Sequence, residues 1–327
     1  MSAGLPDWPL FGLTDDVRPA LAAARAAGRP AALVTLAEAV GGSPRPPGAQ
    51  MLVTEDAVSG FLSGGCVEGD VVLHARACLA DGEPRRLVYG EGGPWPDIRL
   101  LCGARIELLV ERVAPHDPAA ARLLELGAAR RPAVWWTDGA RRLVTAGGEA
   151  PPAFPALGRR HAPRPRLAVV GGDPTALAVA SLSQTLDFET HLVRPRGPEA
   201  PPPLPGVTYH RGEPERALDP VPLDAWTYVA VATHDLESDE AALVAALASP
   251  AAYVGVLGAR RRVPERRARL LARGVPPEAL ARLHAPIGLD LGGKSPWEIA
   301  VAVMAEVTAA RHATAEPLLA ATATAAA

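Results

Sequence analysis

Cys66 follows Gly64 and Gly65 and stands where a helical pattern begins, at about Val67. Backbone N–H groups at a helix start favour a thiolate, the form of cysteine that coordinates soft metals or attacks sulfur. A glycine pair lets a ligand approach the backbone closely. The competing reading is a small residue packed beneath a turn, the usual place of a free cysteine. Cys102, in Leu101-Cys102-Gly103, also adjoins a glycine turn and is a second candidate contact to a metal or to sulfur. Cys66 and Cys102 qualify as a redox pair only if their Cα atoms lie within about 7 Å. Cys78 falls late on the predicted helix, four residues after His74. That is the spacing of a metal pair, but no further ligand clusters with them, so packing is the simpler expectation. The chain has no CxxC pair and no HExxH, which leaves structural and hydrolytic zinc sites unsupported.

Other constellations speak of anions. Gly41 to Gly48 contains Ser43, Arg45 and three prolines. Such a loop is stiff, and the Arg45 fork suits an anionic ligand, although a rigid turn between two strands explains it equally well. Further on, Leu167 to Val170 runs into Gly171-Gly172-Asp173 and then a helical pattern. A Rossmann fold holds a pyrophosphate at such a turn. Here Asp173 takes the place of the glycine that the phosphate approaches, and the acidic residue expected about twenty positions on is missing. Arg194 and Arg196, after the second strand, are suited to a 2′-phosphate, yet beside Asp173 they describe an altered site for which NAD(P) is a poor match. Thr233-His234-Asp235 and Gly258-Ala259-Arg260 each follow a predicted strand, so they should face the same crevice as Gly171 and Gly172. There His234 could carry a proton and Asp235 could orient it, while both are also ordinary capping and turn residues. An NAD(P)-dependent oxidoreductase using His234 is therefore the alternative function.

These residues need a scaffold. In the first half the pattern gives a helix from about Asp15 to Ala27, strands at Ala31–Ala37 and Gln50–Thr54, a helix at Val67–Leu79 and a strand at Arg105–Val113. That predicts an α+β domain over residues 1–113. Residues 114–165 read as a partly structured connector with a helix at Pro118–Gly127 and a strand at Trp135-Trp136. From 166 to 311, apolar runs at Leu167–Val170, His191–Val193, Tyr228–Ala232 and Tyr253–Leu257 alternate with helical segments. This rhythm predicts a Rossmann-like, doubly wound parallel sheet in an α/β chain. Ser295-Pro296-Trp297-Glu298 marks the start of the last helix by a capping box with Pro in its first turn. The Ala- and Thr-rich residues 312–327 read as a flexible tail.

The 327 residues are 48% apolar, enough for two cores, and the net charge of −3 argues against nucleic acid as a partner. Lys294 is the sole lysine, so runs such as Arg260-Arg261-Arg262 reflect codon usage rather than a designed patch. No apolar stretch reaches the length of a membrane span, and the start has no charged and apolar signal pattern. Three cysteines do not suggest a disulfide framework. The expectation is a cytoplasmic protein that binds no membrane.

Taken together, the motifs resemble the XdhC/CoxI family. They are Val40-Gly41-Gly42-Ser43-Pro44-Arg45-Pro46-Pro47-Gly48, then Ser63-Gly64-Gly65-Cys66-Val67-Glu68-Gly69-Asp70, then Cys102-Gly103. Thr233-His234-Asp235, Tyr253 to Arg260, Ala285 to Gly292 and Pro296 to Glu306 follow in family order. The resemblance implies an N-terminal XdhC/CoxI-type domain and a C-terminal Rossmann domain. It implies an accessory protein, and not a turnover enzyme, that binds molybdenum cofactor (molybdopterin) while its terminal sulfur is installed and helps insert it. A xanthine-dehydrogenase-type molybdoenzyme and a cysteine desulfurase are the implied partners, and a homodimer is plausible. The residues it singles out are Ser43, Arg45, Gly64, Gly65, Cys66, Glu68 and Cys102, then Gly171, Gly172, His234, Asp235 and Arg260. Cys66 and Cys102 are the candidate molybdenum or sulfur contacts. The chain departs from the family at Asp173-Pro174, at Arg194-Pro195-Arg196 and at Ala259, which places the better case for a site in the first domain.

Overall fold

The computed structural model describes residues 5–91, 93, 100, 103–313 and 316–321. The chain divides into two compact units, Met1–Pro163 with Glu316–Ala327, and Arg164–Ala315.

The first unit begins with helix α1 (Arg18–Ala26) and the long strand β1 (Ala31–Val40). The first six residues of β1 are all buried because both faces of its sheet are covered. Ala32, Val34 and Leu36 face one core, while Ala31 and Leu33 face another. Strands β2 (Gln50–Val53) and β3 (Val58–Gly60), helix α2 (Glu68–Asp81), and strands β4 (Arg85–Tyr89) and β5 (Arg105–Val113) follow. They form a five-stranded antiparallel sheet in the order β3-β2-β1-β5-β4. Helix α2 lays Val71, Val72, Ala75 and Cys78 on the first core. A bulge between Leu36 and Glu38 shifts the register of β1 against β5, and beyond it the strand turns towards solvent and runs into Gly41.

Residues 114–165 carry more structure than a connector. Helix α3 (Pro118–Ala128) is capped by Asp117, whose carboxylate accepts the N–H groups of Ala119 and Ala120. Strands β6 (Ala133–Thr137), β7 (Arg142–Ala146) and β8 (Leu157–His161) build a second antiparallel sheet. Trp135, Val144 and Ala146 join Leu33 and Val113 in one core. Fully buried Glu111 of β5 receives the Trp135 indole N–H and the Thr137 hydroxyl and pairs with Arg142, which ties the two sheets together.

The second unit is doubly wound. Strand β9 (Arg166–Gly171), helix α4 (Pro174–Thr185), strands β10 (Glu189–Pro195), β11 (Thr208–Gly212) and β12 (Thr227–Ala232), and helix α5 (Leu236–Ala248) lead to β13 (Tyr253–Val256). Helices α6 (Val263–Ala272) and α7 (Pro277–Leu280), short strand β14 (Leu283–His284) and helix α8 (Pro296–Ala313) complete it. The six strands are parallel in the order β11-β10-β9-β12-β13-β14, the Rossmann arrangement. Val229 and Val231 face a core shared with α5 and α6; Leu167 and Val169 face one shared with α4 and α8. At α8 the capping box forms as its sequence requires, with Glu298 accepting the N–H of Ser295 and Ser295 Oγ accepting that of Glu298.

The chain then returns to the first unit. Strand β15 (Leu319–Ala321) adds to the edge of β8, where the sequence pattern suggests a flexible tail. Arg160 holds it through the carbonyls of Pro317 and Leu319 and the carboxylate of Glu316. Among the described residues, no helix is long and apolar enough to cross a membrane.

Candidate functional site

Three loops of the first unit meet at the end of β1 marked by Val40. The Gly41–Gly48 loop leaves β1, the 61–67 loop enters α2, and the segment around Gly103 and Ala104 precedes β5. A Cβ on Gly41 would lie 3.2 Å from the Gly103 carbonyl, and one on Gly64 would lie 3.9 Å from Pro44 Cγ. The Arg45 guanidinium stacks over the Phe61 ring at 5.0 Å. Ser43, Arg45, Gly64, Gly65 and Cys66 thus share one surface. Cys102 lies outside the described residues.

Gly64 and Gly65 have φ of +90° and +105°, conformations that side chains disfavour. A Cβ on Gly65 would meet nothing within 4 Å, so backbone shape alone demands glycine, and the space above stays open. This turn presents Cys66 to solvent.

Glu68 acts differently from the direct ligand contact that its motif suggests. It is buried, and its carboxylate accepts the N–H groups of Leu62, Ser63, Gly65 and Val67 and the Ser63 hydroxyl. Burial alone would raise its pKa, but the donors from Ser63 and Leu62 outweigh that and hold the carboxyl below its usual range. Glu68 therefore shapes the loop that carries Cys66 and has no oxygen turned outwards. The N–H groups nearest Cys66 are spent on that carboxylate.

Arg45 donates to Asp15 at 2.5 Å, while its buried Nε has no partner among the described residues. The Ser43 hydroxyl donates to the Arg45 carbonyl, which makes Ser43 part of the loop's own turn. Beneath the loop, Arg159 of β8 donates through Nε to the Gly48 carbonyl at 2.6 Å. Asp15, Asp16, Arg18 and Arg159 carry no motif signal, because they come together only through tertiary folding. Cys78 is buried, and burial pushes its thiol pKa up; His74 pairs with Asp70. Among the described residues, no group of three or more His, Cys, Asp or Glu could hold a metal ion. A cavity of about 380 Å³ lined by Arg29, Glu55 and Arg76 lies at the opposite end of β1 and contains none of the candidate residues.

In the second unit, the loops after β9 and β12 meet as their positions predict. His234 Nε2 lies 3.1 Å from Asp173 Oδ2, with His234 82% exposed and Asp173 17%. Asp235 faces elsewhere, capping α5 through the N–H and hydroxyl of Ser238. The expected Asp235–His234 pair is thus replaced by Asp173–His234. Asp173 also caps α4 by accepting the Ala176 N–H at 2.8 Å. A carboxylate accordingly occupies the helix start where a pyrophosphate would bind. Gly171 is required by close approach, since a Cβ there would lie 2.2 Å from the Ala232 carbonyl. The Arg194 side chain lies across Gly172, with Cδ 2.4 Å from where a Cβ would stand. Arg196 pairs with Glu213, and Arg260 pairs with Asp290 on the surface. Beside Gly258, Arg266 bridges the Leu257 carbonyl and Asp239, which also receives the Thr233 hydroxyl. Burial raises the Asp239 pKa despite these partners.

Two family models match: XdhC and CoxI family over residues 24–90, and XdhC Rossmann domain over residues 167–307. The molybdenum cofactor insertion chaperone PaoD of Escherichia coli is 32% identical over 307 residues, covering 91% of this chain and 90% of that protein. The chain belongs to the XdhC and CoxI family. A second relative of this XdhC and CoxI chain, a probable xanthine dehydrogenase subunit of Bacillus subtilis, is 27% identical over 159 residues, 47% of this chain and 45% of that one. The crystal structure of a xanthine dehydrogenase from Bacillus halodurans shares the XdhC and CoxI fold seen here. It has a TM-score of 0.74 at 22% identity, over 91% of this chain and 96% of that one.

Proposed function

We propose that this chain is an accessory protein that binds molybdenum cofactor, guards it during sulfuration and helps insert it into a xanthine-dehydrogenase-type molybdoenzyme. The observation that carries the reading is the 32% identity, along nine-tenths of both chains, with a molybdenum cofactor insertion chaperone. The first unit supports it chemically. Cys66 is exposed on a glycine turn with open space above it, as a thiol must be to reach a soft metal or its sulfur ligand. Arg45 offers a guanidinium on the same surface, held there by the exposed Asp15, to an anionic group. The donor set therefore fits a cargo that is soft at one end and anionic at the other.

On this reading, Ser43, Arg45, Gly64, Gly65 and Cys66 form the cofactor-binding face, Cys102 is a further candidate contact to molybdenum or sulfur, and Glu68 keeps the Cys66 turn in shape. A cysteine desulfurase supplies sulfur, the protein works in the cytoplasm, and it does so as a homodimer. In the second unit Gly171, Gly172 and His234 belong to the loops that meet after β9 and β12, whereas Asp235 caps α5 and Arg260 pairs with Asp290 on the surface. Asp173 and Arg194 fill the pyrophosphate position there, which speaks against an NAD(P)-dependent oxidoreductase. The test is transfer: the cofactor-loaded chain is mixed with a xanthine-dehydrogenase-type apoenzyme from the same cell. Activity should appear faster than with free cofactor, and Cys66→Ala should lose the advantage. Equal rates with and without the chain would overturn the proposal.

A further inference from the structure

Under the Gly41–Gly48 loop lies a charged cluster that no motif announces. Arg45, on the loop, is 21% exposed and donates to Asp15, which is 74% exposed. Arg18 is held in a fork by Asp16. Arg159 reaches up from β8 to the Gly48 carbonyl. Three guanidiniums thus face two carboxylates, leaving one positive charge in excess. The next residue along β8, Arg160, is already satisfied by Glu316 and by two carbonyls of the returning chain.

The cluster is confined and costly to assemble. Burial and the neighbouring Arg18 charge bring the Arg159 pKa down to about 10, although Asp16 and Asp15 oppose this, so Arg159 remains a cation at neutral pH. The like charges of Arg18 and Arg45 press on Arg159 as well. Burial and the same Arg159 and Arg18 charges hold His161 well below its usual pKa, so it adds no charge at neutral pH. The returning chain braces the loop from below, since a Cβ on Gly48 would lie 2.5 Å from Leu318 Cβ. Confined cations held together against repulsion attract a multivalent oxyanion, and a guanidinium fork matches a phosphate best. The weakest link in the cluster is the Asp15 carboxylate, which is mostly in water and which a dianion outcompetes.

We propose that Arg45 and Arg159, with Arg18 behind them, form a seat for the phosphate monoester of a pterin cofactor, and that Asp15 occupies it until the phosphate arrives. This rests on the cofactor-binding reading above and adds which end of the cofactor faces which residues. Cys66, on the adjoining loop, is left for the other end.

The experiment uses the full chain and the fluorescent pterin obtained by air oxidation of molybdopterin, with its phosphate intact or removed by phosphatase. Fluorescence titration should give the phosphorylated pterin an affinity about tenfold higher than the dephosphorylated one. Arg45→Gln and Arg159→Gln should erase that preference, and Asp15→Asn should increase affinity for the phosphorylated pterin about threefold. Circular dichroism checks that each variant folds. Should Arg159→Gln fail to fold, Arg45→Gln and the exposed Asp15→Asn decide the matter. Equal affinity of the wild type for both pterins would overturn the seat while leaving cofactor binding intact. Binding of neither pterin would overturn both.

Discussion

Replacing Glu68 by Gln tests whether the Cys66 turn is held by one buried carboxylate. Its Oε1 accepts the Leu62 and Ser63 N–H groups at 3.0 and 2.7 Å, and its Oε2 accepts those of Gly65 and Val67 at 2.9 and 3.3 Å. The glutamine side chain keeps only one acceptor oxygen, so its NH₂ must face one of these N–H pairs; the Ser63 hydroxyl can rotate to accept, but the N–H groups cannot. Each donor left unpaired in a buried site costs about 1–3 kcal/mol; the Val67 N–H keeps the Ser63 Oγ it already shares, so one or two unpaired donors put the loss at about 1–6 kcal/mol. The damage should be local: faster amide exchange at Leu62 and Ser63 or at Gly65, according to which side the NH₂ takes, and a changed rate of Cys66 alkylation by iodoacetamide. The pH dependence follows from the carboxyl being held below its usual range. Stability from a depressed acid is present above its unfolded pKa, about 4.3, and is lost as pH falls through the lower folded value. Protection of the wild-type loop should therefore fail on the acid side, and Glu68→Gln should lack that dependence. Unchanged exchange at Leu62, Ser63 and Gly65 alike in the variant would refute the reasoning.

His161 is buried, and burial together with the Arg159 and Arg18 charges holds it well below its usual pKa. A base with a depressed folded pKa gives stability that is present above about pH 6.5 and lost as pH falls below it. Denaturation of the wild type should show that slope, and His161→Leu should flatten it; an identical slope in both would contradict the placement. Asp173→Ala removes the α4 cap and should cost about 1 kcal/mol by chemical denaturation. Calorimetry of the wild type with NAD⁺ and NADP⁺ should give no micromolar binding, and a micromolar Kd would contradict the reading that Asp173 blocks the pyrophosphate position at the start of α4. Gly48→Ala sets a side chain at φ +94° against Leu318, so it should cost about 1–3 kcal/mol and speed proteolysis of the C-terminal tail. Unchanged proteolysis would mean that β15 does not brace the loop.

The second unit was readable because each strand is a short apolar run between helices with clear starts. Parallel strands covered on both faces leave that unbroken signature, as at Leu167–Val170 and Tyr228–Ala232. The edge strands β11 and β14 gave no such signal, since Thr208–Gly212 is only half covered and Leu283–His284 is too short. Around β7 and β8, prolines and arginines mask strands whose packing depends on Trp135 and Glu111. The return of Leu319–Ala321 to β8 has no local sign at all, being set by carbonyls that Arg160 gathers across more than 150 residues. Site residues followed the same division. Gly64, Gly65 and Cys66 announce a turn by type and spacing. By contrast, the inward turn of Glu68, the choice of Asp173 over Asp235 as the His234 partner, and the Arg159 beneath Gly48 are products of tertiary contact.

The most direct test of the account is the pterin content of the chain purified from cells that make molybdenum cofactor, beside Cys66→Ala and Arg45→Gln variants from the same cells. The wild type should carry molybdopterin at close to one per chain, and both variants should carry clearly less. Wild-type protein free of pterin would contradict the central claim.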